Sequence, residues 1–292
     1  MPNLRMIRRR ISAVTSIQQV TGAMQMIAAS RVRKAQQQIL QTRPYAHKLE
    51  GLMSHMASQI AQGDHPLVTP RPVEHATLIV VTADRGLCRA FNSNVIRRAT
   101  ERRDDLVAQG ATVDLITIGR KSTEYFKRRS ADYPIVASHP GVFQHLKIST
   151  AQEVAAQAVE LYRIAATDYV ELIYNEFKNM LQQNLIVKPF LPLCPVEPPE
   201  TSESSSAVDY IYEPDLPSIW NRLVSQYLEL EIWRVLLESS AAELAARMTA
   251  MEEATENAAD MIKNLVSIRN KVRQGTITQE LSEIVGGSDA LE

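Results

Sequence analysis

The stretch IRRRISAVTSIQQVTGAMQMIAASRVRKAQ, residues 7 to 36, combines a stripe of apolar residues with a complete absence of acidic side chains. No proline interrupts the chain between Pro2 and Pro44. The apolar positions recur at steps of 4, 3, 3, 3, 4 and 3 residues, at Ile7, Ile11, Val14, Ile17, Val20, Met24 and Ile27. Because this spacing is close to that of a coiled-coil seam, the stretch predicts one long helix with an apolar face.

The charges of the chain are segregated towards its two ends. Nine basic residues and no acid precede Glu50, at Arg5, Arg8, Arg9, Arg10, Arg31, Arg33, Lys34, Arg43 and Lys48. The sign reverses between residues 229 and 260, where eight acids accompany only Arg234 and Arg247. This acidic segment also predicts a helix, and about 60 helical residues would extend roughly 90 Å, too far for one small domain to cover. We therefore expect the two terminal helices to pair.

The middle of the chain predicts a Rossmann-like α/β domain over residues 74–194. Strands are predicted at 76–86, 112–119, 133–138, 169–177 and 184–193, and helices at 92–103 and 150–166. Strands that alternate with helices favour a mainly parallel sheet with helices on both faces, here with the last two strands adjacent. The predicted domains are therefore an N-terminal coiled-coil helix (1–60), the α/β domain (74–194), a Pro- and Ser-rich surface connection (195–217) and a C-terminal coiled-coil helix (218–292).

Composition excludes several classes of protein. The chain has 292 residues with 32 basic and 33 acidic side chains, so net charge alone does not attract a polyanion. Two cysteines, Cys88 and Cys194, are too few for a disulfide framework, and no apolar run predicts a transmembrane helix. The arginine-rich, acid-free start is also typical of a mitochondrial transit peptide, but the pattern continues past residue 40, which favours a structural helix.

No motif in the sequence predicts catalysis or cofactor binding. The segment TADRGLCRAFN, residues 82–92, follows the first strand but contains only Gly86, and the chain has no glycine-rich phosphate motif. The six histidines show no metal-ligand spacing, and Cys88 is expected to pack as a small apolar residue. We therefore expect no catalytic residue, no metal site and no cofactor.

Three stretches carry a resemblance to a known family. Residues 7–36, TADRGLCRAFNSNV (82–95) and ARMTAMEEATENAADMIKNLVSIRNKVRQGTITQELSEIVGG (246–287) resemble the signature regions of the gamma subunit of F-type ATP synthases, in the family's order and spacing. The resemblance implies an antiparallel coiled coil of the terminal helices inside a ring of alpha and beta subunits. It implies a non-catalytic rotating shaft, which couples ion flow through a membrane c-ring to ATP synthesis or hydrolysis in that ring.

The resemblance also implies partners and contact residues. The partners are the alpha and beta subunits, the epsilon subunit and the c-ring, with the chain peripheral to the cytoplasmic face of a bacterial plasma membrane. Polar contacts with the ring are assigned by analogy to Arg273, Gln274, Thr278 and Glu280. Further residues would face either the ring or the other helix: Arg8, Arg9, Arg10, Met24, Arg31, Arg33 and Arg247. For Met24 by itself, packing in the core is the favoured interpretation.

The sequence departs from the family at two glycine positions. Arg89 stands where glycine is usual after the first strand, and Gly275 replaces a small helix-favouring residue after Gln274. Such divergence is compatible with an alternative F-type ATPase. Two other functions stay open on residues alone: a basic coiled-coil adaptor that binds nucleic acid through residues 5–34, and a nucleotide-dependent enzyme built on the sheet domain.

Overall fold

The computed structural model describes residues 4–57, 66–193 and 216–289. The long helices are α1 (Leu4–Ala57) and α5 (Leu216–Asp289), and the elements between them are β1 (His75–Val81), α2 (Phe91–Ala108), β2 (Thr112–Ile118), α3 (Arg120–Lys127), β3 (Ile135–His139), α4 (Ile148–Arg163), β4 (Tyr169–Phe177) and β5 (Gln183–Leu191). The described residues form two compact units, one from 4–30 and 247–289 and the other from 31–57, 66–193 and 216–246. The expected connection at 195–217 lies outside the described residues except at its end, where α5 already begins at Leu216.

The second unit contains a five-stranded sheet in the order β3-β2-β1-β4-β5. The first four strands are parallel and β5 is antiparallel to β4. Side chains of α2 and α3 pack on one face of the sheet, among them Val95 and Phe126, while those of α4 and α5 pack on the other, among them Val154 and Leu228. The prediction of a mainly parallel sheet covered by helices on both faces is thus confirmed. Helix α3 was not predicted, since eight residues are too few to show a helical period.

The first unit pairs the start of α1 with the C-terminal part of α5 in an antiparallel coiled coil, whose seam advances by alternating steps of 4 and 3 residues. Seam positions on α1 are buried or half-buried at Ile7, Ile11, Val14, Gln18, Thr21, Gln25 and Ala28, and on α5 at Met251, Thr255, Ala258, Ile262, Leu265, Arg269 and Val272. The hydroxyl of Thr255 lies 2.8 Å from that of Thr21 and joins the two helices in mid-seam. On the α1 side, the middle of the seam therefore consists of polar residues.

The predicted apolar stripe of α1 is wrong from Ile17 onwards. Ile17, Val20 and Ile27 are each more than half exposed, and Met24 is 39% exposed, so Met24 does not pack in a core. The physical reason is the 3.5-residue repeat of a coiled coil, which carries the seam from Val14 to Gln18 instead of to Ile17. The apolar residues that continue at three-residue steps rotate out of the seam and onto the surface.

A bidentate ion pair joins α2 to the sheet. The guanidinium of Arg102 donates to both carboxylate oxygens of Glu171 at 2.7 and 2.8 Å, and the hydroxyl of Tyr169 donates to Glu171 at 2.8 Å. Glu171 is buried, and its hydrogen bond raises the pKa of Arg102. Burial and the same carboxylate raise the pKa of Tyr169 to about 12. The charge of Glu171 is therefore fully matched by its donors, as a buried ion requires.

A second cluster of charges joins α5 to the opposite face of the sheet. Glu231 accepts from Lys188 of β5 at 2.7 Å and from Arg234 at 2.9 Å, and although burial opposes its charge, these two cations hold its pKa below the usual value. Glu238 lies near the same groups but its Oε2 has no hydrogen-bond partner among residues 4–57, 66–193 and 216–289. Burial, with the nearby carboxylates Glu176 and Glu231, raises the pKa of Glu238 to about 7. The cluster therefore holds one carboxylate more than its two cations satisfy.

Candidate subunit-contact surfaces

The C-terminal part of α5 presents the residues that the sequence assigned to polar contacts. Arg273, Gln274, Thr278 and Glu280 are all exposed, as is every described side chain from 273 to 284. The hydroxyl of Thr278 donates to the carbonyl oxygen of Gln274 at 2.9 Å, so this side chain is tied to its own helix in the free chain. We call residues 273–284 the tip. Its polar residues lie within two helical turns and are available to a partner.

The tip also exposes apolar side chains that the sequence reasoning missed. Ile277, Leu281 and Ile284 are 48, 57 and 69% exposed and recur at steps of 4 and 3 residues, which places them on one side of the helix. The signal was present in the sequence, because Ile277, Leu281 and Ile284 have the spacing of an apolar row on a helix. A helix that exposes an apolar row among charges has the composition of a binding surface.

Helix α1 carries a second exposed surface in the first unit. Its apolar members are the four side chains displaced from the seam, Ile17, Val20, Met24 and Ile27, which we call the outer stripe. Arg8, Arg9 and Arg10 are exposed about two turns of helix before this stripe. The surface therefore combines a cluster of cations with an apolar row.

The remaining predicted contact residues are three arginines that belong to different units. Arg31 and Arg33 are exposed but belong to the second unit, whereas Arg247 belongs to the first. Arg247 is half-buried and has interactions within the chain. The structure thus divides these arginines between the two units.

The loop after β1 adopts a left-handed conformation at two residues that are not glycine. Leu87 has φ 64° and Arg89 has φ 49°, and both side chains are exposed. Arg89 stands at the position where glycine was expected, and the loop keeps the glycine-like conformation in spite of the side chain. Such residues are uncommon outside glycine and persist only where neighbouring contacts hold the backbone in place.

Helix α5 packs at the carboxyl edge of the sheet, near the point where β1 and β4 meet. In doubly wound domains ligands bind at this point, because the strand order reverses there. Here Ala242 and Ala246 of α5 pack against Ala83, Cys88 and Phe91, with Phe177 beside them. Helix α5 therefore fills the position, and Cys88 packs as a small buried residue as expected. Across the described parts of the chain, no group of three or more His, Cys, Asp or Glu side chains is arranged to hold a metal ion.

Comparison with known proteins gives a consistent family. The family model described as ATP synthase matches residues 3–291. The ATP synthase gamma chain of Chloroherpeton thalassium is 44% identical over 304 residues, covering 100% of this chain and 99% of that protein. The gamma chain of Pelotomaculum thermopropionicum is also 44% identical, over 292 residues and the whole of both chains.

Solved structures agree in fold. A chain from the central stalk and c-ring of the Tetrahymena thermophila mitochondrial ATP synthase has a TM-score of 0.59 at 25% identity, covering 80% of this chain and 99% of that one. A chain from the Euglena gracilis mitochondrial ATP synthase, in a structure of OSCP, F1 and the c-ring, has a TM-score of 0.68 at 19% identity, covering 99% of this chain and 94% of that one.

Proposed function

This chain belongs to the family of ATP synthase gamma chains, and from that premise we infer how its surfaces serve the central stalk. As a gamma chain it is the non-catalytic rotor subunit of an F-type ATP synthase, whose rotation couples ion flow to ATP synthesis or hydrolysis. ATP chemistry belongs to other subunits. The proposal concerns which residues of this chain transmit the torque.

The tip is proposed to turn inside the ring of alpha and beta subunits. The observation that carries this proposal is the exposure of Ile277, Leu281 and Ile284 beside Arg273 and Gln274 on one stretch of helix. Exposing an apolar row of this kind to water costs free energy, and contact with a surrounding protein surface would remove that cost. The polar residues of the tip, including Thr278 and Glu280, would then hydrogen-bond to different ring subunits as the shaft turns.

The outer stripe and the arginines before it are proposed as a second contact with the ring. Apolar side chains give a surface on which a partner slides without breaking hydrogen bonds, while the guanidinium groups of Arg8, Arg9 and Arg10 attract acidic loops. Because the stripe occupies one side of α1, it makes the shaft asymmetric. An asymmetric shaft presents different faces to successive ring subunits, as a rotor requires.

Contacts with the epsilon subunit and the c-ring are assigned to the sheet domain, and the complex to the cytoplasmic face of a bacterial plasma membrane. Support comes from the bacterial relatives and from the solved neighbour whose structure includes a c-ring. No helix among the described residues is long and apolar enough to cross a membrane. The alternative of a nucleic-acid adaptor has no support from the relatives and structures named above.

The test is a reconstituted complex of this chain with alpha and beta subunits from the same source. We expect one copy of the chain per ring and MgATP hydrolysis that depends on it. The double variant Arg273→Ala/Gln274→Ala should assemble but transmit less torque in a single-molecule rotation assay, because the truncated side chains cannot hydrogen-bond to the ring. The control Lys127→Ala/Arg128→Ala alters the sheet domain and should leave torque unchanged. Full torque in the tip variant would contradict the assignment of these two residues.

A further inference from the structure

Asp84 is a buried carboxylate that follows β1 and accepts three backbone hydrogen bonds. Its Oδ1 accepts from the N–H of Arg120 at 2.9 Å and of Gly141 at 2.7 Å, and its Oδ2 accepts from the N–H of Phe143 at 2.9 Å. The residue is only 6% exposed. Since Arg120 follows β2 and Gly141 and Phe143 follow β3, one side chain ties together the carboxyl ends of three neighbouring strands.

The three donors form a cradle for an anion. Arg120 is the first residue of α3, so its N–H has no acceptor within the helix and lies at the positive end of the helix dipole. Gly141 adopts φ 85°, a left-handed conformation that turns its N–H towards the same point as that of Phe143. Converging backbone N–H groups of this kind bind phosphate and other anions in many proteins. Here the anion is a side chain of the chain itself.

We propose that Asp84 is an intramolecular anion that fills this cradle and, as a positioning residue, fixes the loop of residues 85–89. The inference goes beyond the rotor function and does not depend on it.

The loop needs such an anchor because of its backbone. Leu87 and Arg89 are both in the left-handed region, which is unfavourable for residues with a side chain. Asn92 holds the loop from the side of α2, accepting from the N–H of Ala83 at 2.9 Å and donating to the carbonyl oxygen of Arg85 at 3.2 Å. Asp84 holds it from the side of β2 and β3. The loop conformation is thus enforced from both flanks.

Chemical rescue of the full-length chain tests the proposal. Asp84→Ala removes the carboxylate and leaves space for formate, which has the same acceptor atoms. We expect a lower Tm for this variant, with about half or more of the loss recovered in formate, saturably, relative to chloride at the same ionic strength. The wild type and the exposed-site control Asp105→Ala should respond equally to the two salts. An equal response of Asp84→Ala to formate and chloride would overturn the proposal.

A second variant covers the case in which Asp84→Ala does not fold. Asp84→Asn keeps the size of the side chain but directs an amide N–H2 at the backbone N–H donors of the cradle, so we expect a lower Tm. Formate should not restore this Tm, because the asparagine side chain still fills the cradle. Amide hydrogen exchange in the wild type adds a measurement without mutation. The amides of Arg120, Gly141 and Phe143 should be protected, and the amides of Leu87 and Cys88 should exchange faster in Asp84→Asn. Wild-type stability of Asp84→Asn, or fast exchange at Gly141 and Phe143 in the native chain, would refute the role of the carboxylate.

Discussion

Replacing Glu238 with glutamine should make the chain more stable at high pH and leave it almost unchanged at low pH. Burial and the neighbouring carboxylates raise the pKa of Glu238 from its ordinary 4.5 to about 7. The native state therefore binds a proton more tightly than the unfolded state. Between pH 4.5 and 7 the stability contributed by this group falls as pH rises, and above pH 7 the charged carboxylate imposes its full cost. Glutamine resembles the protonated acid and carries no such cost.

The magnitude follows from the shift in pKa. A displacement from 4.5 to about 7 corresponds to roughly 3 kcal/mol between the two protonation states. Because Glu238 is only partly buried, screening by solvent reduces this figure. We expect Glu238→Gln to raise the free energy of unfolding by about 2 kcal/mol at pH 8 and by less than about 0.5 kcal/mol at pH 4.5.

Urea unfolding followed by tryptophan fluorescence is a suitable assay. The two tryptophans of the chain, Trp220 and Trp233, lie on α5 in the same unit as Glu238. The control Glu153→Gln removes an exposed carboxylate of that unit and should change stability by less than about 0.5 kcal/mol at either pH. A difference between Glu238→Gln and wild type that does not vary from pH 4.5 to 8 would refute the reasoning.

Two further substitutions test the sheet domain. Glu171→Gln leaves the charge of Arg102 without its partner and should lower the free energy of unfolding in urea by about 3 kcal/mol. The control Glu101→Gln breaks only exposed ion pairs and should lower it by less than about 1 kcal/mol. Equal effects of the two substitutions would contradict the importance of burial. In Gly119→Ala the new Cβ would clash with the carbonyl oxygen of Thr82, and the backbone of residue 119 has φ 90°, so this variant should lower the free energy of unfolding by more than about 3 kcal/mol. Gly275→Ala, by contrast, has open space around its Cβ in α5 and should raise the free energy of unfolding by about 0.5–1 kcal/mol. A tolerated Gly119→Ala would show that the backbone can shift at this position.

The sequence predicted the elements of the fold better than their packing. Helix α1, the mainly parallel sheet and the adjacent strands β4 and β5 follow from apolar periods that local residues determine, whereas the antiparallel direction of β5 was not predicted. The seam was misplaced because Ile17 and Val20 are apolar, whereas Gln18 and Thr21 are the residues that the coiled-coil repeat brings to the partner helix. Which residues a seam buries depends on the repeat of two helices together, and the hydrophobicity of one helix does not reveal it.

The candidate surfaces were predicted in part. The positions from Arg273 to Glu280 are exposed together, but their contacts with other subunits remain predictions. The role of Asp84 could not be read from the sequence, because its three donors lie 36 to 59 residues away and are backbone groups, which every residue possesses. The burial of Glu171 could not be predicted from the sequence either. An acidic residue is usually exposed, and it is buried only where a partner that is distant in the sequence offsets its charge.

The displacement of four apolar side chains from the seam has a consequence for how variants of this chain would be classified. A substitution in the outer stripe, such as Val20→Ser, removes an exposed side chain from the isolated chain and would leave its melting curve close to that of the wild type. A substitution at Ile7 or Ala28, buried in the seam, would lower the melting temperature directly. Screening of purified chain by thermal stability would therefore record the outer stripe as tolerant of change, and any defect there would become visible only in the assembled motor.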